Sequence, residues 1–137
     1  MAQAAIAEAH RTAVLSVGLN TLTLVTLQAA PLDQLGAWAA GTPTRLTAPS
    51  GGDYLVGAST EWAQTVAGSW ASGLFVRRNG AGTYLTQSRR AATLEKRLRD
   101  SVARAVTLAA GEYVELLVLI TGATTNLDAA SLYLVRL

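Results

Sequence analysis

The chain contains no cysteine, so it has no disulfide framework, no thiolate nucleophile and no zinc site of the usual sulfur kind. Its one histidine, His10, cannot build a multi-histidine metal site. Charge is scarce: 15% of residues are charged, against about 25% in an average soluble domain. The formal net charge of +2 is too small for an obligate nucleic-acid binder. No apolar run approaches the roughly 20 residues of a membrane span, the longest aliphatic stretch being Leu116–Ile120. Glu8, His10 and Arg11 stand where a signal peptide keeps its apolar stretch. The expectation is a protein that acts where it is made, or leaves the cell by lysis or assembly, and that needs no cofactor.

The residues that are present favour a core. Half of the 137 residues are hydrophobic, which excludes disorder and fits one domain. A monomer of this mass exposes on the order of 6,800 Å². Eleven basic and nine acidic residues are thin cover for that area, which favours burial against another subunit. Residues 1–12 are Ala-rich, with Ile6 their one large aliphatic side chain, and read as an N-terminal arm anchored through Ile6. From Ala13 onward, short β-type runs alternate with Gly, Pro, Asn and Ser punctuation. Asn79-Gly80 between two such runs predicts a hairpin. Ala91–Arg104 is the one segment with competing helical spacing, through Leu94, Leu98 and Val102. The whole reads as an all-β antiparallel sandwich or barrel over residues 13–137.

Face patterns refine this reading. Tyr54, Val56, Ala58, Thr60 and Trp62 form one face of a strand whose other face is Leu55, Gly57, Ser59 and Glu61, a core side and a wet side. Tyr113–Ile120 and Leu132–Leu137 are apolar on both faces and call for a second covering surface.

The order of Pro43-Thr44-Arg45-Leu46, Gly52-Asp53-Tyr54-Leu55-Val56-Gly57, Leu74-Phe75-Val76-Arg77-Arg78-Asn79-Gly80, Val106–Leu116 and Leu132–Leu137 resembles the complement-component and tumour-necrosis-factor jelly-roll superfamily, in the compact form found in bacteriophage virion proteins. The resemblance covers residues 13–137 and implies a jelly roll of about ten strands, assembled as a trimer around a threefold axis. It also implies that Val106–Ile120 and the last strand line that axis, which places Tyr113, Leu117, Leu119, Tyr133 and Val135 at a trimer interface. Glu112 stands where the family motif has Asp, and the closing Phe-x-Gly pattern of the animal proteins is missing, so their receptors and calcium sites are not carried over.

Catalytic constellations are weak. His10 lies before the first run, where nothing fixes its geometry for a serine hydrolase. Glu112 with Glu115, and Asp53 with Glu61, read as solvated turn acids. Thr124–Asp128 offers oxygen ligands but too few acids for calcium. Charge asymmetry is stronger: residues 77–104 hold eight of the eleven basic residues against Glu95 and Asp100. Arg89, Arg90, Arg97 and Arg99, with Trp70 in a predicted loop, are candidates for a partner surface. The expected function is a non-enzymatic structural protein of a phage virion, a trimeric head decoration protein contacting the major capsid protein or another virion protein. The alternative is the receptor-binding tip of a tail fibre that reads a host surface glycan. Nucleic acid and membrane are not expected partners.

Overall fold

Asn79 and Gly80 both take left-handed backbone, with φ of 50° and 69°, and Ala81 N–H donates to the Arg78 carbonyl at 2.8 Å. Only this mirror-image turn matches the twist of two adjoining strands, so the dipeptide closes a hairpin as its sequence predicts. The hairpin joins β7 (Ser69–Arg78) to β8 (Tyr84–Thr93). The computed structural model describes residues 5–63, 69–93, 97–122 and 125–137.

The other strands are β1 (Ile6–Arg11), β2 (Leu15–Ser16), β3 (Thr23–Leu24), β4 (Ala29–Asp33), β5 (Arg45–Thr47), β6 (Gly52–Trp62), β9 (Leu98–Leu108), β10 (Tyr113–Thr121) and β11 (Asn126–Arg136). They build two antiparallel sheets. Sheet A runs β4-β1-β11-β6-β9 with β2 on β11, and sheet B runs β3-β10-β7-β8 with β5 on β10. The result is a jelly-roll sandwich, the fold class that the sequence predicts. Among the described residues there is no helix: Leu98–Leu108 is a strand, so the helical spacing of Ala91–Arg104 is overridden, while residues 94–96 lie outside the description. Eleven continuous register pairs with β6 reward the extended form.

The core lies between the sheets. Tyr54, Val56, Ala58 and Trp62 of β6 meet Val114, Leu116, Val118 and Ile120 of β10, all at most 1% exposed. The predicted core face of β6 is therefore the observed one. Over its described residues the N-terminal segment is not an arm. From Ile6 to Arg11 it pairs with β11 on one side and β4 on the other, so it is an interior strand of sheet A. Its alanines explain the error, because Ala7 and Ala9 are fully buried where a larger side chain would overpack the core.

Strand β8 is one edge of sheet B and β9 one edge of sheet A, and the two run side by side at one rim. Side chains close this rim where no ladder does. Arg90 Nη1 donates to the Arg99 carbonyl at 3.1 Å, Arg104 Nη1 donates to the Leu85 carbonyl at 2.7 Å, and Ser88 Oγ donates to Asp100 Oδ1 at 3.0 Å. Unpaired strand edges invite aggregation, and these bonds cover them.

Candidate functional site

The outward face of sheet A is a broad surface built from four paired strands. In-register pairing lines its side chains up in rows across β1, β11, β6 and β9. One row is Ile6, Val135, Leu55 and Ala105, and the next is Glu8, Tyr133, Gly57 and Ala103. A third is His10, Ser131, Ser59 and Ser101, and the end of the face carries Ala129, Glu61 and Arg99. The face thus has an apolar end built of small and aliphatic residues and a polar end built of hydroxyls and charges.

At the apolar end the Tyr133 ring lies flat on Gly57. A Cβ on Gly57 would fall 2.1 Å from Tyr133 Cζ and 2.2 Å from its Oη. Glycine is required here by close approach of the ring, not by its backbone angle. Leu55, Tyr133 and Val135 are each half-buried, and Ala103 and Ala105 are exposed.

At the polar end Ser59 Oγ and Ser131 Oγ share a hydrogen bond of 2.6 Å. Arg97 donates to Glu61 Oε1 at 2.6 Å and to Asp128 Oδ2 at 2.9 Å, while Arg99 Nη2 stands 3.5 Å from Glu61. An open cleft of about 880 Å³ runs from His10 and Ser131 across Ser59 to the β8–β9 rim at Ser88 and Arg90. Two polar residues beside it, Thr60 at 4% and Asp100 at 8% exposure, turn their side chains to the core side of sheet A. Thr60 Oγ1 and Asp100 Oδ2 have no hydrogen-bond partner among the described residues. Asp100 Oδ1, by contrast, accepts from Ser88 Oγ and from Ser101 N–H at 2.9 Å. Such free, buried acceptors are uncommon and call for an explanation.

The candidate residues distribute unevenly over this frame. Tyr133 and Val135 lie on the outward face of sheet A, but Tyr113, Leu117 and Leu119 lie on β10 in sheet B. The five cannot share one interface patch. Leu117, at 3% exposure, is already covered within the chain by Phe75, its cross-strand partner. The Phe75 ring packs over Gly73 and against Tyr84, with Arg89 above it at 5.6 Å. Tyr113 is covered in turn by Arg45, 3.9 Å from its ring. Much of the outward face of β10 is therefore packed within its own sheet, while Leu119 stays half-buried.

Trp70 is not in a loop. It belongs to β7, is 3% exposed and sits in the core cluster, so it presents no partner surface. Ile6 is not a free anchor, since it pairs with Val135 and its N–H donates to Gln34 Oε1 at 3.2 Å. Of the arginines, Arg97 and Arg99 sit by Glu61 at the polar end, Arg90 spans the rim, and Arg89 lies alone on the outer face of sheet B. They do not form one patch. Glu115 is not a solvated acid: at 4% exposure it accepts from Arg77 Nε at 3.1 Å. Glu112 does serve its turn, accepting from Ala109 N–H at 2.7 Å and Asn79 Nδ2 at 2.9 Å.

Sequence reasoning counted Asp100 only as one of two acids in the arginine-rich span. Strand parity carries the missed signal: Leu98, Asp100 and Val102 point to one side, and Leu98 is core.

No protein-family model matches the chain, and no curated protein matches it in sequence. Solved structures do match in shape. Murine APRIL is 17% identical with a TM-score of 0.72, over 98% of this chain and 100% of that one. The Eiger TNF of S. frugiperda is 16% identical with a TM-score of 0.66, over 98% and 92%. The globular domain of zebrafish complement 1qA is 12% identical with a TM-score of 0.63, over 98% and 97%. The chain has the jelly-roll fold of the tumour-necrosis-factor and complement 1q proteins.

Proposed function

We propose that the chain is a non-enzymatic homotrimer that assembles through the apolar end of the outward face of sheet A and serves as a decoration protein on a phage head, in contact with the major capsid protein. The observation that supports assembly is the pair of rows Ile6–Val135–Leu55–Ala105 and Glu8–Tyr133–Gly57–Ala103. Apart from Glu8 they are apolar, and they form a sheet face whose side chains are only half covered by the single chain, of the kind that symmetric oligomers bury. The threefold arrangement and the virion follow from the resemblance in the sequence. Since β1 is built into sheet A, attachment to a capsid would rest on loops and outer faces, not on an N-terminal arm. Sedimentation over a range of concentrations tests the assembly, with a trimer expected at micromolar concentration and a stable monomer refuting it. Mass spectrometry of purified particles tests the location, with a copy number in proportion to capsid subunits expected.

A second reading, a virion tip that binds a host surface glycan, is favoured by one observation, the hydroxyl-rich cleft at the polar end of the same face. Adsorption of particles lacking the protein separates the two, because a decoration protein leaves adsorption unchanged.

A further inference from the structure

We infer that Asn79 is a site of spontaneous covalent modification, deamidation to aspartate and isoaspartate, which a clamp made by Glu112 and Tyr113 holds in check in the folded chain. The inference needs neither the threefold assembly nor the virion.

The chain has three asparagines, and the residues that follow them rank their reactivity. Deamidation begins when the next residue's backbone nitrogen reaches the side-chain amide carbon, so a bulky side chain at that next residue hinders it. Asn20 precedes the β-branched Thr21 and Asn126 precedes Leu127, but Asn79 precedes Gly80, which has no Cβ to obstruct the approach. Asn79 and Gly80 also form the exposed corner of the β7–β8 hairpin, open to the water that the reaction consumes. In the first step the Gly80 nitrogen loses its proton and bonds to Asn79 Cγ, the Cγ–Nδ2 bond breaks, and ammonia leaves with that proton. Water then opens the resulting succinimide. Breaking its bond between nitrogen and Cγ gives aspartate, and breaking its bond between nitrogen and the main-chain carbonyl carbon gives isoaspartate. The sum is one water taken up and one ammonia released, with no change of oxidation state.

The fold opposes the first step by holding the amide. Asn79 Nδ2 donates to Glu112 Oε2 at 2.9 Å, and Asn79 Oδ1 accepts from the Tyr113 N–H at 2.9 Å. The Asn79 N–H donates to the Tyr113 carbonyl at 2.9 Å, so main chain and side chain together pin the residue to the end of the β9–β10 turn. Attack makes the planar amide carbon tetrahedral and swings both of its polar atoms, so both side-chain bonds must give way. Glu112 is itself fixed, since its Oε1 accepts from the Ala109 N–H at 2.7 Å. Hydrogen bonds to a charged acceptor are about twice as strong as neutral ones, which makes the Glu112 bond the stronger half of the clamp.

Conversion also releases the clamp. A carboxylate at position 79 has no proton to donate, so it faces Glu112 as a like charge where Nδ2 was a donor. Isoaspartate in addition lengthens the main chain by a methylene group inside a tight turn whose two central residues are already left-handed. Arg78, whose Nε lies 3.9 Å from Glu112 Oε2, offsets only part of the repulsion.

The test incubates the full wild-type chain, Glu112→Ala, Glu112→Gln and the wild-type chain unfolded in urea at mildly alkaline pH. Peptide mapping by mass spectrometry then follows each asparagine, with isoaspartate separated from aspartate by chromatography. In urea, conversion is expected at Asn79 ahead of Asn20 and Asn126. The folded wild type is expected to convert Asn79 about tenfold or more slowly than the unfolded chain, the factor that one hydrogen bond to a charged group supplies. Glu112→Ala should recover most of that factor, whereas Glu112→Gln, whose side-chain carbonyl still accepts from Nδ2, should not. Circular dichroism checks that each variant is folded, and should Glu112→Ala not fold, the ratio of folded to unfolded wild-type rates carries the test. A folded wild type that converts Asn79 as fast as the chain in urea would overturn the inference. So would a folded Glu112→Ala chain that converts no faster than wild type, or conversion in urea that favours Asn20 or Asn126.

Discussion

If the outward face of sheet A carries the proposed assembly, replacing Gly57 with alanine should disassemble it while leaving the single chain folded. The added methyl would sit 2.1 Å from Tyr133 Cζ, and ordinary contact begins at 3.4 Å, so the ring must retreat by at least ~1.3 Å. It can do so only outward, into the space that the proposed assembly gives to a second copy. Within one chain the effects largely offset. Overpacking costs about 1–3 kcal/mol, while Ala in place of Gly inside a strand recovers about 0.5–1 kcal/mol of backbone entropy. The net loss is about 0–2.5 kcal/mol, a shift of up to about ten degrees in Tm for a chain of this size. At the interface the same displaced ring enters three times. A loss of about 1–2 kcal/mol per copy sums to roughly 3–6 kcal/mol, or two to four decades in the association constant. Sedimentation velocity across a dilution series and thermal unfolding on the same samples separate the two effects. Gly57→Ala combined with Tyr133→Ala should restore much of the single chain's stability, because the methyl then fills the space that the ring leaves. A Gly57→Ala chain that assembles as tightly as wild type would refute the role assigned to this face.

Deleting residues 1–11 should abolish cooperative unfolding, since β11 and β4 both lose their partner and Ala7 and Ala9 leave the core; circular dichroism with a thermal scan reads this directly. Leu117→Asp should destabilise the single chain by about 3 kcal/mol or more without a specific effect on assembly, because the carboxylate is buried under Phe75; denaturant unfolding at two protein concentrations checks it. Glu115→Ala should cost about 2 kcal/mol, less than a fully buried pair because Arg77 is 23% exposed and can turn to water, and Arg77→Ala should cost more by stranding the carboxylate; equilibrium urea unfolding measures both.

The alternation of β6 was legible because a strand with one wet face writes its parity directly into residue type. The Asn79-Gly80 hairpin was legible because both positions need left-handed backbone, which few residue pairs supply. The N-terminal strand was hidden for the converse reason. Its buried positions are Ala7 and Ala9, and alanine carries no β signature; only the crowding of β1 between β4 and β11 selects it. Reading Leu117 as an exposed interface residue missed a neighbour that sequence could not supply. Phe75, two residues from Gly73, folds its ring back over that glycine and stands beside Leu117 across the ladder. The cleft escaped notice because it is an alignment of rows. Ser131, Ser59 and Ser101 are far apart in the chain and become one line of hydroxyls only through the register of three strands.

The same logic recasts the arginine-rich span. Most of its members are committed to the chain itself, so their charges are not free to attract a capsid. Arg90 and Arg104 close the β8–β9 rim through carbonyls, Arg97 and Arg99 pair with Glu61, and Arg77 and Arg78 serve Glu115, Glu112 and the Thr107 carbonyl. Arg89 is different. It is exposed on the outer face of sheet B and engaged by the Phe75 ring, which leaves its charge to solvent. A test of electrostatic attachment should therefore change Arg89 alone. Arg89→Ser would remove a cation–π contact of about 0.5–1 kcal/mol at an exposed site, too little to unfold the chain. If the outer face of sheet B meets an acidic capsid surface, occupancy per particle should fall, and the deficit should shrink as salt rises and screens the wild-type attraction beyond about 8 Å. Arg90→Ser, by contrast, should loosen the rim and raise amide exchange along Leu98–Asp100 whatever the protein binds. Equal occupancy for the Arg89 variant and the wild type at every salt concentration would remove this face from the attachment surface.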